Sequence, residues 1–153
     1  MEQTKIYNKR LNIEEKRYKA KKIINLLNEH YNVDCSTLKR NHSLLIPRQI
    51  AIYFIDKFIP MVDREIALLF IRENGKPLDH ATIIHSKNKI ADLLPFDKEI
   101  RNTVNDLEQS VNDIAKLTGL ELIKFKIKEE ILFKIKDFDV NSLNELSVNI
   151  AVL

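Results

Sequence analysis

Apolar residues recur three and four positions apart along most of this chain, a spacing that predicts helices. From about Glu14 onward, Tyr18, Ile23, Leu26, Leu27 and Tyr31 share one face, while Lys19, Lys21, Lys22 and Asn25 fall elsewhere. Residues 1–13 carry no such period and read as a flexible arm. Asn32 is a helix stop, and Asp34 suits the cap of a short turn to Leu38, because its carboxylate can accept from unpaired backbone N–H groups. A basic loop follows at Lys39, Arg40, Asn41, His42 and Ser43. Pro47 fits the first turn of a second helix, where its missing N–H is not needed, with Ile50, Ala51, Phe54, Ile55 and Phe58 as the apolar stripe and Pro60 as the end. Asp63 is a candidate cap for a third helix containing Ile66, Ala67, Leu69 and Phe70. Glu73 to Pro77 breaks it with strong turn chemistry. A fourth helix is expected from near Asp79 to about Leu94, with Ile83, Ile84, Ile90 and Leu93 or Leu94 facing the core.

Pro95 marks a boundary. Beyond it, Ile100, Val104, Leu107, Val111 and Ile114 define an acidic amphipathic helix from about Lys98 to Leu117, stopped by Gly119. The tail is ambiguous in period. Leu122 to Ile127 and Ile131 to Phe138 alternate apolar and charged residues as strands do, yet Ile123, Ile127, Ile131 and Ile135 also sit four apart as in a helix. The alternation favours a small β-hairpin. The expected architecture is mainly α: a flexible arm at 1–13, a helix-turn-helix domain at 14–94, and a C-terminal helix with an α/β appendage at 95–153.

Charge changes the picture more than bulk composition does. The net charge of +3 divides into 17 Lys and Arg against 10 Asp and Glu over residues 1–90, and 8 against 12 over residues 91–153. The basic end is therefore the expected polyanion binder. The two glycines, Gly75 and Gly119, are too far apart to form a phosphate-cradling loop, so no nucleotide or other cofactor is expected. Cys35 is the single cysteine and can form neither an internal disulfide nor a cysteine-based zinc site. The charged start MEQTKIYNKR and the absence of a long apolar run argue against a signal peptide or a membrane span and for a cytoplasmic protein.

Helix, basic loop, helix, turn and helix over residues 36–92 form the outline of a helix-turn-helix DNA binder, whose second helix reads bases from its N-terminal residues. Asp79, His80 and Thr82 occupy that position. A carboxylate can accept from the cytosine amino group, an imidazole can meet a base edge, and threonine offers a hydroxyl and a methyl. On spacing alone, an equally good account makes Asp79 a helix cap and His80 an exposed polar residue.

The segments PRQIAIYFIDKF at Pro47 to Phe58, REIALLF at Arg64 to Phe70 and DHATIIHSKNKI at Asp79 to Ile90 resemble the C-terminal DNA-binding domain (domain IV) of the bacterial replication initiator DnaA, a TrpR-like helix-turn-helix. The resemblance covers roughly Lys19 to Val111. It implies sequence-specific binding of short asymmetric boxes in double-stranded DNA. It also implies that Arg40 enters the minor groove, with Lys39 and His42 beside it in the basic loop. Asp79, His80, Ala81 and Thr82 match the motif that reads the major groove, with Ala81 standing where a threonine is common. Arg48 and Gln49 match the Arg-Gln that begins the second helix near the phosphate backbone, and Lys89 is a further phosphate-contact candidate. Three positions depart from the family. IRENGKPL between Phe70 and Asp79 is longer than the family's short turn, Leu78 replaces the arginine before Asp-His, and His42 replaces a residue that is usually permanently basic.

An enzyme is not expected. His80 and His85 are five residues apart and point about 140° away from each other on a helix, so they do not form a metal clip. Cys35 with His30 has no orienting acid or oxyanion donor to make it a nucleophile pair. The competing reading is a small helical adaptor that binds another protein through residues 98–153.

Overall fold

The computed structural model describes residues 2–37 and 41–136, with side chains from residue 12 onward. The described residues form six helices and fall into two units, one up to Lys116 and one from Leu117. Among the described residues, no helix is long and apolar enough to cross a membrane.

The first helix, α1, runs from Glu2 to Tyr31, so residues 2–13 continue the helix and are not a separate arm. The segment holds neither glycine nor proline, and Glu2, Gln3, Lys5, Lys9, Arg10 and Leu11 are helix formers, so it sustains helix without an apolar stripe of its own. Ala20, Ile23, Ile24 and Leu27 are the buried face. The helix closes through Asn32, whose φ of 52° is left-handed. The Asn32 N–H donates to the Glu29 carbonyl and the Val33 N–H to the Asn28 carbonyl, which pairs two carbonyls of the last turn of the helix.

α2 (His42–Phe58) starts one turn earlier than proline placement suggests, because Asn41 caps it with its side-chain oxygen accepting from the Ser43 N–H. His42 is thus the first helical residue, not part of a loop, and Pro47 lies inside the helix. α2 packs against α1 and against α3 (Asp63–Ala67), α4 (His80–Leu93) and α5 (Lys98–Ala115). Ile50, Ala51, Ile52, Phe54 and Ile55 are fully enclosed there. α3 is a single short turn whose cap is Val62, not Asp63: the Val62 N–H donates to Glu65 Oε2 at 3.2 Å. Asp97 caps α5 by accepting from the N–H groups of Glu99 and Ile100, and Ile100, Val104, Leu107 and Val111 bury the expected stripe.

In the second unit the expected β-hairpin is replaced by α6 (Gly119–Lys136). Glu121 Oε2 accepts from the Thr118 N–H at 2.7 Å and from its hydroxyl, while the Thr118 hydroxyl faces the Glu121 N–H. This reciprocal box starts a helix at Gly119, which is therefore a first-turn residue and not a stop. Between Ile127 and Ile131 the chain has Lys, Glu and Glu, which are helix formers and offer no reverse turn. Four-residue spacing accordingly prevails over alternation. Of the proposed second strand, Ile131 to Lys136 belong to α6, and Asp137 and Phe138 lie outside the described residues.

Candidate nucleic-acid interface

α3 and α4 are joined by a segment that folds back on itself. Gly75 donates its N–H to the Arg72 carbonyl, the Arg72 N–H donates to the Lys76 carbonyl, and the Leu78 N–H donates to the Phe70 carbonyl. Ile71 and Pro77 form an antiparallel bridge. Gly75 sits at φ 77°, the left-handed position that follows a type I turn in a three-residue hairpin loop. The additional length before Asp79 is therefore an ordered hairpin, and Leu78 is buried at its base. Thr37 bridges to Ile71 on the other side, so the chain leading into Lys39 and Arg40 departs from beside this hairpin. Leu38, Lys39 and Arg40 themselves lie outside the described residues.

Asp79 caps α4. Its Oδ1 accepts from the Thr82 N–H at 2.8 Å and the Thr82 hydroxyl at 2.9 Å, and its Oδ2 accepts from Arg72 Nη2 at 3.1 Å. The Thr82 backbone N–H, then the Thr82 hydroxyl and the Arg72 charge, hold the carboxyl below its ordinary range. His80 and Ala81 are exposed, Thr82 is half-buried, and Ile84, His85, Asn88 and Lys89 continue the exposed side of the helix. His80 and His85 are not brought together with a third ligand, and among the described residues no group of three potential metal ligands occurs.

The opposite side of α4 is anchored. Ile83 and Ile90 enter the core, and Ser86 is buried with its hydroxyl donating to the Thr82 carbonyl. Lys87 Nζ donates to Asp56 of α2 and Asp63 of α3, each at 2.9 Å, and these bonds raise its pKa. Asp63 thus serves as an ion-pair partner at the start of α3.

Two candidate residues are placed otherwise than expected. Arg48 is half-buried and points inward to the turn after α1: Nε donates to the Cys35 carbonyl at 3.1 Å and Nη2 to the Thr37 carbonyl at 2.6 Å. Its basicity is lowered by burial, though a guanidinium stays charged. Gln49 is buried with its Oε1 unpartnered. His42 and Lys89 are exposed. Arg72 is the residue that sequence spacing overlooks, since it reaches Asp79 only through the hairpin. The Asn74-Gly75 pair is the signal that could have revealed it.

Comparison with known proteins agrees with this layout. Residues 20–90 match the family described as bacterial dnaA protein helix-turn-helix. The chain is 30% identical over 101 residues to the chromosomal replication initiator protein DnaA of Bdellovibrio bacteriovorus, a match covering 64% of the chain and 20% of the relative. With the protein of the same name from Geobacter sulfurreducens, identity is 41% over 86 residues, covering 54% of the chain and 18% of the relative. The chain thus spans about a fifth of the length of these relatives. No solved structure gives a significant match. The short α3, the linking hairpin and the capped α4 all fall inside the matched segment, and residues 20–90 resemble the helix-turn-helix domain at the C-terminus of bacterial DnaA.

Proposed function

We propose that this chain binds double-stranded DNA in a sequence-specific way, with the N-terminal end of α4 in the major groove and the Lys39–Arg40 segment in the neighbouring minor groove. The observation that carries this reading is the two-sidedness of α4. Its inner side is fixed by Ile83, Ile90 and the Lys87 ion pairs, while His80, Ala81 and Lys89 remain exposed on a helix whose start is set by Asp79. A rigid helix with a polar exposed tip is what base-edge readout requires. Arg48 acts as a positioning residue, holding the turn from which the basic segment departs, and not as a phosphate contact. His42 lies at the start of α2 close to that segment in sequence. We assign the protein a cytoplasmic role as a transcription regulator or replication accessory that neither binds nor hydrolyses ATP, since two distant glycines cannot cradle a phosphate. A protein partner for residues 98–153 would meet the polar side of α5 or the exposed apolar residues of α6, among them Leu120, Ile123, Leu132 and Phe133, because the apolar stripe of α5 is packed in the core.

Electrophoretic shifts on initiator-box and scrambled duplexes, at two salt concentrations, test the reading. Tighter binding to the box, weakening steeply with salt by about 0.9 log units per log unit for each neutralised phosphate, is the expected result. Equal affinity for both duplexes, or binding insensitive to salt, would refute it.

A further inference from the structure

Both oxygens of the Asp79 carboxylate are already occupied, one by Thr82 and the other by Arg72. An acceptor engaged in this way is poorly placed to receive a cytosine amino group. The guanidinium beside it is in the opposite situation. Arg72 gives one nitrogen to Asp79 and retains further N–H groups of a rigid fork, and its side chain is 45% exposed.

On the reading of α4 as the groove-entering helix, we propose that Arg72 is a specificity-determining residue of the DNA site. It donates to O6 and N7 of a guanine while Asp79 holds its guanidinium. The fork of arginine matches those two acceptors, and this is the commonest base-specific contact in the major groove. What an exposed arginine usually lacks is a fixed position, since its long side chain must be ordered when DNA arrives. Here the ordering is built into the free protein. The backbone of Arg72 is held by its own N–H to Lys76, by its carbonyl from Gly75, and by the Phe70–Leu78 bond at the hairpin base, with Leu78 set into the core. The side chain is held by Asp79, which is itself fixed as the cap of the reading helix. Glu73 and Lys76 in the same hairpin offset each other in charge, so Arg72 is the loop's net cation.

The test begins with the wild-type chain and a pool of duplexes of randomised sequence, from which the preferred site is recovered. Affinities are then measured on that site and its single-base variants for the wild type, Arg72→Ala, Arg72→Lys and Asp79→Asn, with thermal melts confirming that each is folded. Arg72→Ala should flatten discrimination at one G·C pair by about tenfold or more and leave the other positions selective. Arg72→Lys keeps the charge but not the fork, so the salt dependence should persist while discrimination at that pair stays lost. Asp79→Asn keeps the helix cap and should weaken discrimination at the same pair. A uniform loss on every duplex for Arg72→Ala, with the salt slope lower by about one, would make Arg72 a phosphate contact and overturn the proposal. Unchanged discrimination would overturn it as well, while leaving DNA binding in place. A wild type without any preferred duplex would remove both the function proposed above and this inference.

Discussion

α2 and α4 pack against each other, yet they differ in how much of themselves they expose. α2 buries eight of its 17 residues and is surrounded by four other helices. α4 buries three of 14, Ile83, Ser86 and Ile90, and leaves most of its length to solvent. On the proposed function, stability and recognition are thereby separated onto different helices. A reading helix can vary on its outer side without touching the core, provided that the helix beneath it does not move.

The largest effect that distinguishes the two helices is expected from truncation inside α2. Phe54→Ala removes a side chain with no exposed surface and should lower unfolding free energy by about 3 to 5 kcal/mol, read by denaturant melts. A loss as large from any substitution on the outer side of α4 would erase the distinction. Arg48→Ala comes next: it deletes two charge-assisted bonds to the Cys35 and Thr37 carbonyls and should lose about 2 kcal/mol. DNA affinity should fall with it, on the proposal that Arg48 positions the turn and makes no phosphate contact, and restoring the temperature margin by cooling should recover little of that affinity if the turn has lost its shape.

A smaller, local effect sharpens the comparison by pH. The Asp79 carboxyl is held below its ordinary value of 3.8, so its contribution to the folded state is complete above that value and is lost as pH falls through the lower folded-state value. Amide exchange at Ala81 and Thr82 should accelerate in that window before exchange in the middle of α2 does. If the two helices open together, α4 has no independent start. Smallest for stability is His80→Ala, which should leave the melting curve unchanged while lowering discrimination at one or two base pairs by roughly 1 to 3 kcal/mol in competitive binding.

Helices with strong start signals were the legible part of this chain. Asp79 ahead of an apolar run and the Ile100 to Val111 stripe define α4 and the body of α5, and Pro60 and Pro95 separate the elements as proline should. The misread places share one cause, which is competition between two local rules. Leu122 to Ile127 obeys alternation, but Thr118 and Glu121 supply a capping box three residues apart, and the box with its helix-forming followers prevails. At the start of α1 the lack of an apolar stripe suggested an arm, whereas composition alone permits helix. In the candidate site, the cap at Asp79 could be read because a carboxylate stands directly ahead of an apolar run. Arg48 and Gln49 could not, since a basic and a polar residue near a helix start look solvent-facing until the turn after α1 is seen to lie against them.

The enclosed thiol of Cys35 offers an internal clock for that turn. Burial pushes its pKa up to about 11, so little thiolate exists at neutral pH and the closed protein gives almost no background reaction. With one cysteine in the chain, every alkylation event reports one opening of the segment that Arg48 fastens. On the proposed two-groove reading, a duplex that engages Lys39 and Arg40 should slow the clock, while a duplex held by α4 alone should let it run at its free rate. Alkylation of Cys35 would then tell a two-groove complex from a one-groove complex, without a label on either molecule.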